Sequence, residues 1–551
     1  MKMVMVDFEL SDFEKLAGRK FSKEQMEDAV LYAKSELDKF EDGKASVEIA
    51  DTNRPDLWSV EGIARAIRPF YDKGKTPSAP KMKNSGLQVK IEKSVKEARP
   101  FTVCGVVKGI SVNEGLLVSL IQMQEKISNT FGRKRKEAAI GIYDFDKIEG
   151  NIRYYGAEPR KVKFVPLDFE NELDLDEILE LHPKGIEFAH LLKGKKHYPI
   201  FEDSKGHVLS MPPIINSNYS GKVEPGKRNL FVEVSGFNLE IIGTALNVLM
   251  LAFADRGGRL ETVKVIDSNG KSFTTPGFKR EKISLSIEYL NKVSGMQFTP
   301  KQALQLLEKM HYKGKIQGKK LLLETPFFRT DILHPIDIVE DALIAFGYNR
   351  IGPEIPKVFT QGSELAETRK IDKVRDACVG LGLQEALTFT LTSKEKQEGR
   401  MLLKSEEFAE IENFASLNYQ IFRKRLLPEL LEFLAKNKSV ELPHAIFEIG
   451  KTVELHASSE TGVLEKQKLC IALSNSQGLN FNSAKSLLQS LSKMLSFSFK
   501  LQEAESAFLI AGRSAEVLAH GKSIGFLGEL HPQVLQNFGI ENPVCVLELE
   551  V

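Results

Sequence analysis

Apolar and polar positions alternate along the chain in two rhythms, and each predicts its own kind of element. In "TPKQALQLLEKM" (299–310), Ala303, Leu306, Leu307 and Met310 recur at helical spacing. Thr299 stands as N-cap, Pro300 at N1 and Gln302 at the capping-box position. The following "YKGKIQGKKLLLETP" reads as two short strands around Gly318. The opening residues predict a strand and then a helix capped at Ser11, with Glu14 completing a capping box. Between 89 and 272, β-rich stretches such as "FTVCGVVKGISV" alternate with amphipathic ones such as "LLVSLIQMQEKISNTF", which predicts a mixed α and β domain. Pro, Gly, Ser and Lys without periodicity mark linkers at 70–88 and at "RIGPEIPK". The expected units are therefore 1–88, 89–272, 273–350 and 351–551.

The segment "FFRTDILHPIDIVEDALIAFGY" (327–348) places Asp331, Asp337, Glu340 and Asp341 within eleven residues. A helix starting at Pro335 and stopped by Gly347 puts Asp337, Glu340 and Asp341 on one face. Ile336, Val339, Leu343 and Phe346 fall on the opposite stripe. Like charges at this spacing cost about 0.2–0.5 kcal/mol per pair unless a cation neutralises them. Two readings stay open on the residues alone: acids in a first turn answering the helix dipole, or ligands of a hard metal ion.

Composition narrows the class. At 551 residues the chain is long for one core. With 76 basic and 75 acidic residues its net charge is +1, so any nucleic-acid contact must use a local patch. Cys104, Cys378, Cys470 and Cys545 form no CxxC or Cys/His pattern, which predicts reduced, buried thiols. The start "MKMVMVDFELSDFEKL" develops no signal-peptide core, and the longest apolar run, "ALNVLMLAFA" (245–254), is too short to span a bilayer. The expectation is a cytoplasmic protein without membrane contact. GxGxxG after a strand, HExxH and GxSxG are all missing, and "HGKS" (520–523) lacks the upstream glycine of a P-loop.

Several segments together resemble the β subunit of phenylalanyl-tRNA synthetase in its shorter, archaeal and eukaryotic-type form. "DTNRPDLWSVEGIARAI" (51–67) looks like that family's amino-terminal signature, and "RTDILHPIDIVEDALIAFGYNRI" like its B5 domain. "LSMPPIINS" with "NLFVEVSG" resembles its B3/4 editing domain, and "LGLQEALTFTLTS", "LPHAIFEIG" and "IGFLGELHP" its carboxy-terminal synthetase-like domain. The match is colinear over nearly the whole chain. It implies an α+β multidomain protein with an N-terminal α/β domain and linker (1–88), a B3/4 editing domain (89–272), a small winged-helix-like B5 domain (273–350), and a noncatalytic class II synthetase-like domain on an antiparallel sheet (351–551).

The resemblance also implies chemistry. Asp331, Asp337, Glu340 and Asp341 match positions that bind Mg²⁺ in the family, in a structural or interfacial role. The α subunit would activate phenylalanine with ATP and pass it to tRNA(Phe), in an α2β2 tetramer. In this chain "IFRKRLLP" has Arg425 where a class II motif carries an acid, and "GFLGELH" lacks the third motif's arginine. A pocket built for phenylalanine rejects the added hydroxyl of tyrosine only weakly, by about 10²-fold, so a second, hydrolytic site is expected. Candidates are Gln124, Arg135, Ser210 and Glu233, with Ser210 and Glu233 expected on paired strands. Glu233, between Val232 and Val234, is also a position that could face solvent, and the run Arg133 to Lys136 is either an RNA-backbone patch or a solvated face. The alternative from another class is a noncatalytic nucleic-acid-binding scaffold.

Overall fold

The computed structural model describes residues 4–51, 53–71, 79–476 and 478–551. Thr52 of the amino-terminal segment and residues 72–78 of the first expected linker lie outside the described residues. The chain forms two compact units, Met1–Ile355 and Pro356–Val551. Both are mixed α and β.

The first unit is organised by a ten-stranded mixed sheet. One end of it is formed by Phe101–Lys108, Leu230–Gly236 and Ala138–Asp144, joined antiparallel. All seven residues of Leu230–Gly236 and of Ala138–Asp144 are buried, as fits strands covered on both faces. Leu230, Val232 and Val234 point to one side, into a core with helices Glu114–Asn129 and Leu239–Asp255. Phe231 points to the other, towards Tyr143 and Phe201. The first core is continuous with Val4, Phe13, Trp58 and Ile63 of the amino-terminal elements, so apolar packing does not pause at residue 88. The sheet begins inside the expected linker: Lys83–Ile91 is a strand paired with Arg259–Ile266, because Leu87, Val89 and Ile91 alternate inward.

Capping follows the sequence in some helices and departs from it in others. Pro300–Lys309 has the Thr299–Gln302 box, and Pro335–Phe346 ends at Gly347. The first helix, Leu10–Ala17, starts instead directly from a strand with Glu9 at its N-cap, so Ser11 is inside it. Glu14 completes no box there; its carboxylate accepts the Phe21 N–H at 2.9 Å. A three-stranded antiparallel sheet with Lys320–Glu324 between Lys282–Ser286 and Lys313–Gln317 packs its apolar side on three helices, Ile287–Ser294, Pro300–Lys309 and Pro335–Phe346.

The second unit has a seven-stranded sheet, antiparallel except for the short edge strand Gln384–Glu385. Its two faces bury separate cores. Helix Leu427–Lys436 covers one, and helices Ala366–Gly380 and Phe481–Met494 cover the other. All four cysteines are free thiols and buried. Among the described residues no helix is long and apolar enough to cross a membrane.

Candidate functional site

Glu233 is only 2% exposed, so it does not face solvent. Its register partners are Cys104 on one side and Gly141 on the other. A glycine is required there: a Cβ on Gly141 would stand 2.2 Å from the Tyr143 hydroxyl and 2.7 Å from Glu233 Oε1. The missing side chain is the space in which these two groups meet. The Tyr143 hydroxyl lies 3.2 Å from Glu233 Oε1 and 2.7 Å from Ser210 Oγ. Glu233 Oε2 is buried and has no protein partner.

Ser210 and Glu233 do not sit on paired strands, contrary to expectation. Val208–Met211 and Leu230–Gly236 are separated by five intervening strands in the sheet order. They meet because the sheet curls: Asn216, on its terminal strand Ile215–Asn216, donates to the Ile142 carbonyl of Ala138–Asp144 at the other end, at 3.3 Å. That closure carries Ser210 against Tyr143.

Burial pushes the Glu233 carboxyl up to about 8, against the pull of the Arg99 charge and of the hydrogen bond from Tyr143. Arg99 is itself 1% exposed, and burial lowers it to about 10. It donates to Ser235 Oγ at 3.0 Å, the Ser235 carbonyl at 2.5 Å and the Lys136 carbonyl at 3.2 Å.

Glu233 opens onto a cavity of about 200 Å³ that is also lined by Gln124, Arg135, His182, Pro213 and Ile214. Three of the four expected residues thus share one cavity, and Ser210 joins through Tyr143. Gln124 is fixed by donating to the Ile140 carbonyl at 2.8 Å. Arg135 donates to the carbonyls of Pro213 and Ile214 at 3.1 and 2.8 Å and lies 4.2 Å over the Phe188 ring. Burial lowers its pKa. Arg133, Lys134 and Arg135 are three consecutive residues with φ of 49°, 53° and 64°, a left-handed turn that costs conformational energy and aims Arg135 inward while Arg133 and Lys134 stay exposed. Sequence reading missed Tyr143 and Arg99. A glycine inside an apolar strand, as in "AAIGIYD", marks close approach and was the available signal for the first. Nothing in the sequence marks Arg99.

The acids of helix Pro335–Phe346 are arranged differently from the spacing-based expectation. Asp341 is fully buried and Ile336 is 48% exposed, because Ile338, Val339, Ala342 and Ala345 form the inward face. Asp341 Oδ2 accepts from Tyr312 at 2.7 Å and Arg329 at 2.8 Å, while its Oδ1 has no partner. Arg329 also bonds both oxygens of Asp331, at 2.8 and 2.5 Å. Burial alone would raise Asp331, but Arg329 with Arg54 outweighs it and holds the carboxyl below its usual range. Asp337 Oδ2 accepts the N–H groups of Leu333 and His334 at 2.8 and 2.7 Å, completing a capping box. Glu340 pairs with Lys34 at 2.8 Å. Among the described residues no group of three or more His, Cys, Asp or Glu is gathered to hold a metal.

In the second unit Arg423, 3% exposed, donates to Glu448 at 2.6 Å and to Thr388 Oγ1 at 2.8 Å. Lys424 and Arg425 both pair with Glu406, at 2.5 and 3.0 Å. The cations of "IFRKRLLP" are all bound within the chain.

Comparison with known proteins follows the same division. A family model for the phenylalanyl tRNA synthetase beta chain CLM domain matches residues 351–551, and one for the tRNA synthetase B5 domain matches 283–348. The chain is 44% identical, over 99% of its own length and 99% of the relative, to the phenylalanine–tRNA ligase beta subunit of Pyrococcus abyssi. To that of Archaeoglobus fulgidus it is 36% identical over 94% of this chain and 92% of the relative. A crystal structure of an N-terminal fragment of the phenylalanyl-tRNA synthetase beta-subunit from Pyrococcus horikoshii superposes with a TM-score of 0.61 at 44% identity, covering 62% of this chain and 100% of the fragment.

Proposed function

The chain belongs to the family of phenylalanine–tRNA ligase β subunits, and on that premise we propose that it works beside an α subunit that carries the aminoacylation chemistry, while its own Glu233 cavity removes tyrosine from mischarged tRNA(Phe). The observation that carries the editing part is the buried, unpartnered Oε2 of Glu233 at the cavity. About 200 Å³ is more than the ~150 Å³ that suffices for a benzene ring. A phenol both donates and accepts, so it can satisfy Oε2 whether the carboxyl is protonated or ionised. A phenylalanine ring in the same place would leave that oxygen unsatisfied, at a cost of about 1–3 kcal/mol. Gln124 and Arg135, committed to backbone carbonyls, serve as walls, and Ser210 with Tyr143 holds Glu233 in place.

The second unit supports a noncatalytic role. Arg423 is buried on Glu448, and Lys424 and Arg425 are spent on Glu406, so none of them is free to clamp ATP phosphates in the manner expected of a class II site. ATP and phenylalanine then belong to the α subunit, and the assembly is α2β2. We also propose domain roles as the sequence predicts: B3/4 editing at 89–272, a winged-helix-like B5 unit at 273–350 and the synthetase-like unit at 351–551.

For Mg²⁺, Asp331, Asp337, Glu340 and Asp341 offer only carboxylate oxygen, as a hard cation requires, and Asp341 Oδ1 is unpartnered, but the four are engaged separately and would have to be drawn together around an ion. An ion held by these residues would compete with Arg329 and Lys34 for their oxygens. Its contribution would be structural, neutralising the cluster.

The test is coexpression with a cognate α subunit and assay of phenylalanine transfer to tRNA(Phe), with each subunit alone as control. Activity only in the complex is expected. Phenylalanyl-adenylate formed by this chain alone would overturn the division of labour.

A further inference from the structure

We propose that the solvent face of the three-stranded sheet Lys282–Ser286, Lys320–Glu324 and Lys313–Gln317 binds the phosphodiester backbone of the RNA substrate. This rests on the proposed function, which makes tRNA a partner, and names where this chain touches it.

The register fixes which side chains share that face. Lys313 is opposite Glu324, Lys315 opposite Leu322 and Gln317 opposite Lys320. On the other edge Lys282 is opposite Glu324 and Ser284 opposite Leu322. Opposed residues project to the same side of a sheet. Leu321 and Leu323, the alternate positions, are buried in the core, so Lys320 and its partners point to solvent. The face therefore carries Lys282, Lys313, Lys315 and Lys320 around one acid, Glu324, and one apolar residue, Leu322, with Ser284, Ser286 and Gln317 as neutral hydrogen-bonding groups.

All five residues of Lys313–Gln317 are exposed, as are Lys282, Ser284 and Lys320. Among the described residues none of the four lysines is held in an ion pair, whereas Lys34, Lys396, Lys424 and Lys468 elsewhere are. The face is also concave, a groove of about 590 Å³ lined by Lys282, Ser284, Lys313 and Lys315. Lysines on edge strands guard against strand pairing, which accounts for Lys282, Lys313 and Lys315 taken singly. It does not account for Lys320, which lies on the central strand. Four cations spread across three strands, outnumbering the single acid Glu324 between Lys282 and Lys313 and flanked by hydroxyl and amide groups, complement a line of phosphates. An overall charge of +1 leaves such contact to a local patch of this kind.

The experiment measures tRNA(Phe) binding to the complete α/β complex between 50 and 200 mM salt, for wild type and for Lys282→Gln/Lys313→Gln/Lys315→Gln/Lys320→Gln. Lys292→Gln/Lys301→Gln, on the exposed helix side of the same unit, is the control. Removing four phosphate contacts should weaken binding about tenfold or more at 100 mM salt and reduce the slope of log K against log salt by about 3, with phenylalanine activation unchanged. The control pair should change neither. A quadruple variant that binds like wild type overturns the proposal alone. One that no longer assembles with the α subunit assigns the face to a protein contact and also overturns it. A wild-type complex that binds no tRNA overturns both this proposal and the function on which it rests.

Discussion

The Tyr143 hydroxyl stands 3.2 Å from Glu233 Oε1, in the gap left by the missing side chain of Gly141. A phenol of the protein's own thus occupies one carboxyl oxygen and leaves the other, Oε2, as the buried unpartnered atom at the cavity. The proposed recognition of a tyrosyl phenol repeats, on Oε2, a contact that the protein already makes on Oε1.

Glu233 makes stability depend on pH in a definite direction. Its folded pKa, about 8, lies above the ordinary value of 4.5, so folding takes up a proton between those values. Stability from this group is fully present below about pH 4.5 and falls as pH rises towards 8, by about 1.4 kcal/mol per unit at most. Glu233→Gln should therefore gain in melting temperature over wild type as the pH is raised from 5.5 to 8.5. A difference that stays constant over that range would show that the carboxyl is ionised throughout.

For the acidic helix, Mg²⁺ should raise the melting temperature of the chain, since a ligand bound only by the folded state stabilises it. Asp337→Ala/Glu340→Ala should abolish that response. Lys34→Met should strengthen it, because Lys34 competes for Glu340 at 2.8 Å. The same Mg²⁺ dependence in the double variant would mark these acids as a capping group and a surface ion pair only.

Arg423→Met leaves Glu448 buried and without its cation, at a cost of about 3–5 kcal/mol. Glu448→Gln added to it should recover a large part, because the charge that needed a partner is gone. Thermal denaturation of the two variants measures this. Equal melting temperatures would place the loss in packing of the arginine stem.

The elements that the sequence disclosed are those with local causes. Pro300 and Gln302 after Thr299, Pro335 at N1, Gly347 at the stop and Gly318 between two strands each act within a few residues, and each stands where expected. Ser11 failed as a cap because the preceding strand runs straight into the helix, a tertiary constraint. The face of Pro335–Phe346 was turned because Arg329 and Tyr312 make burial of Asp341 tolerable, and neither partner is visible in helical spacing. Glu233, Gln124 and Arg135 were legible as candidates through the family resemblance. Their meeting with Ser210 was not, since it depends on the curl that brings the two ends of a ten-stranded sheet together.

The most direct measurement is deacylation of preformed tyrosyl-tRNA(Phe) by the α/β complex, comparing wild type with Glu233→Ala. Wild type should hydrolyse it, and the variant should lose about tenfold or more, in line with about 1–3 kcal/mol for a buried polar group left without its partner, while phenylalanine transfer is kept. Unchanged hydrolysis in Glu233→Ala, or none by wild type, would contradict the account.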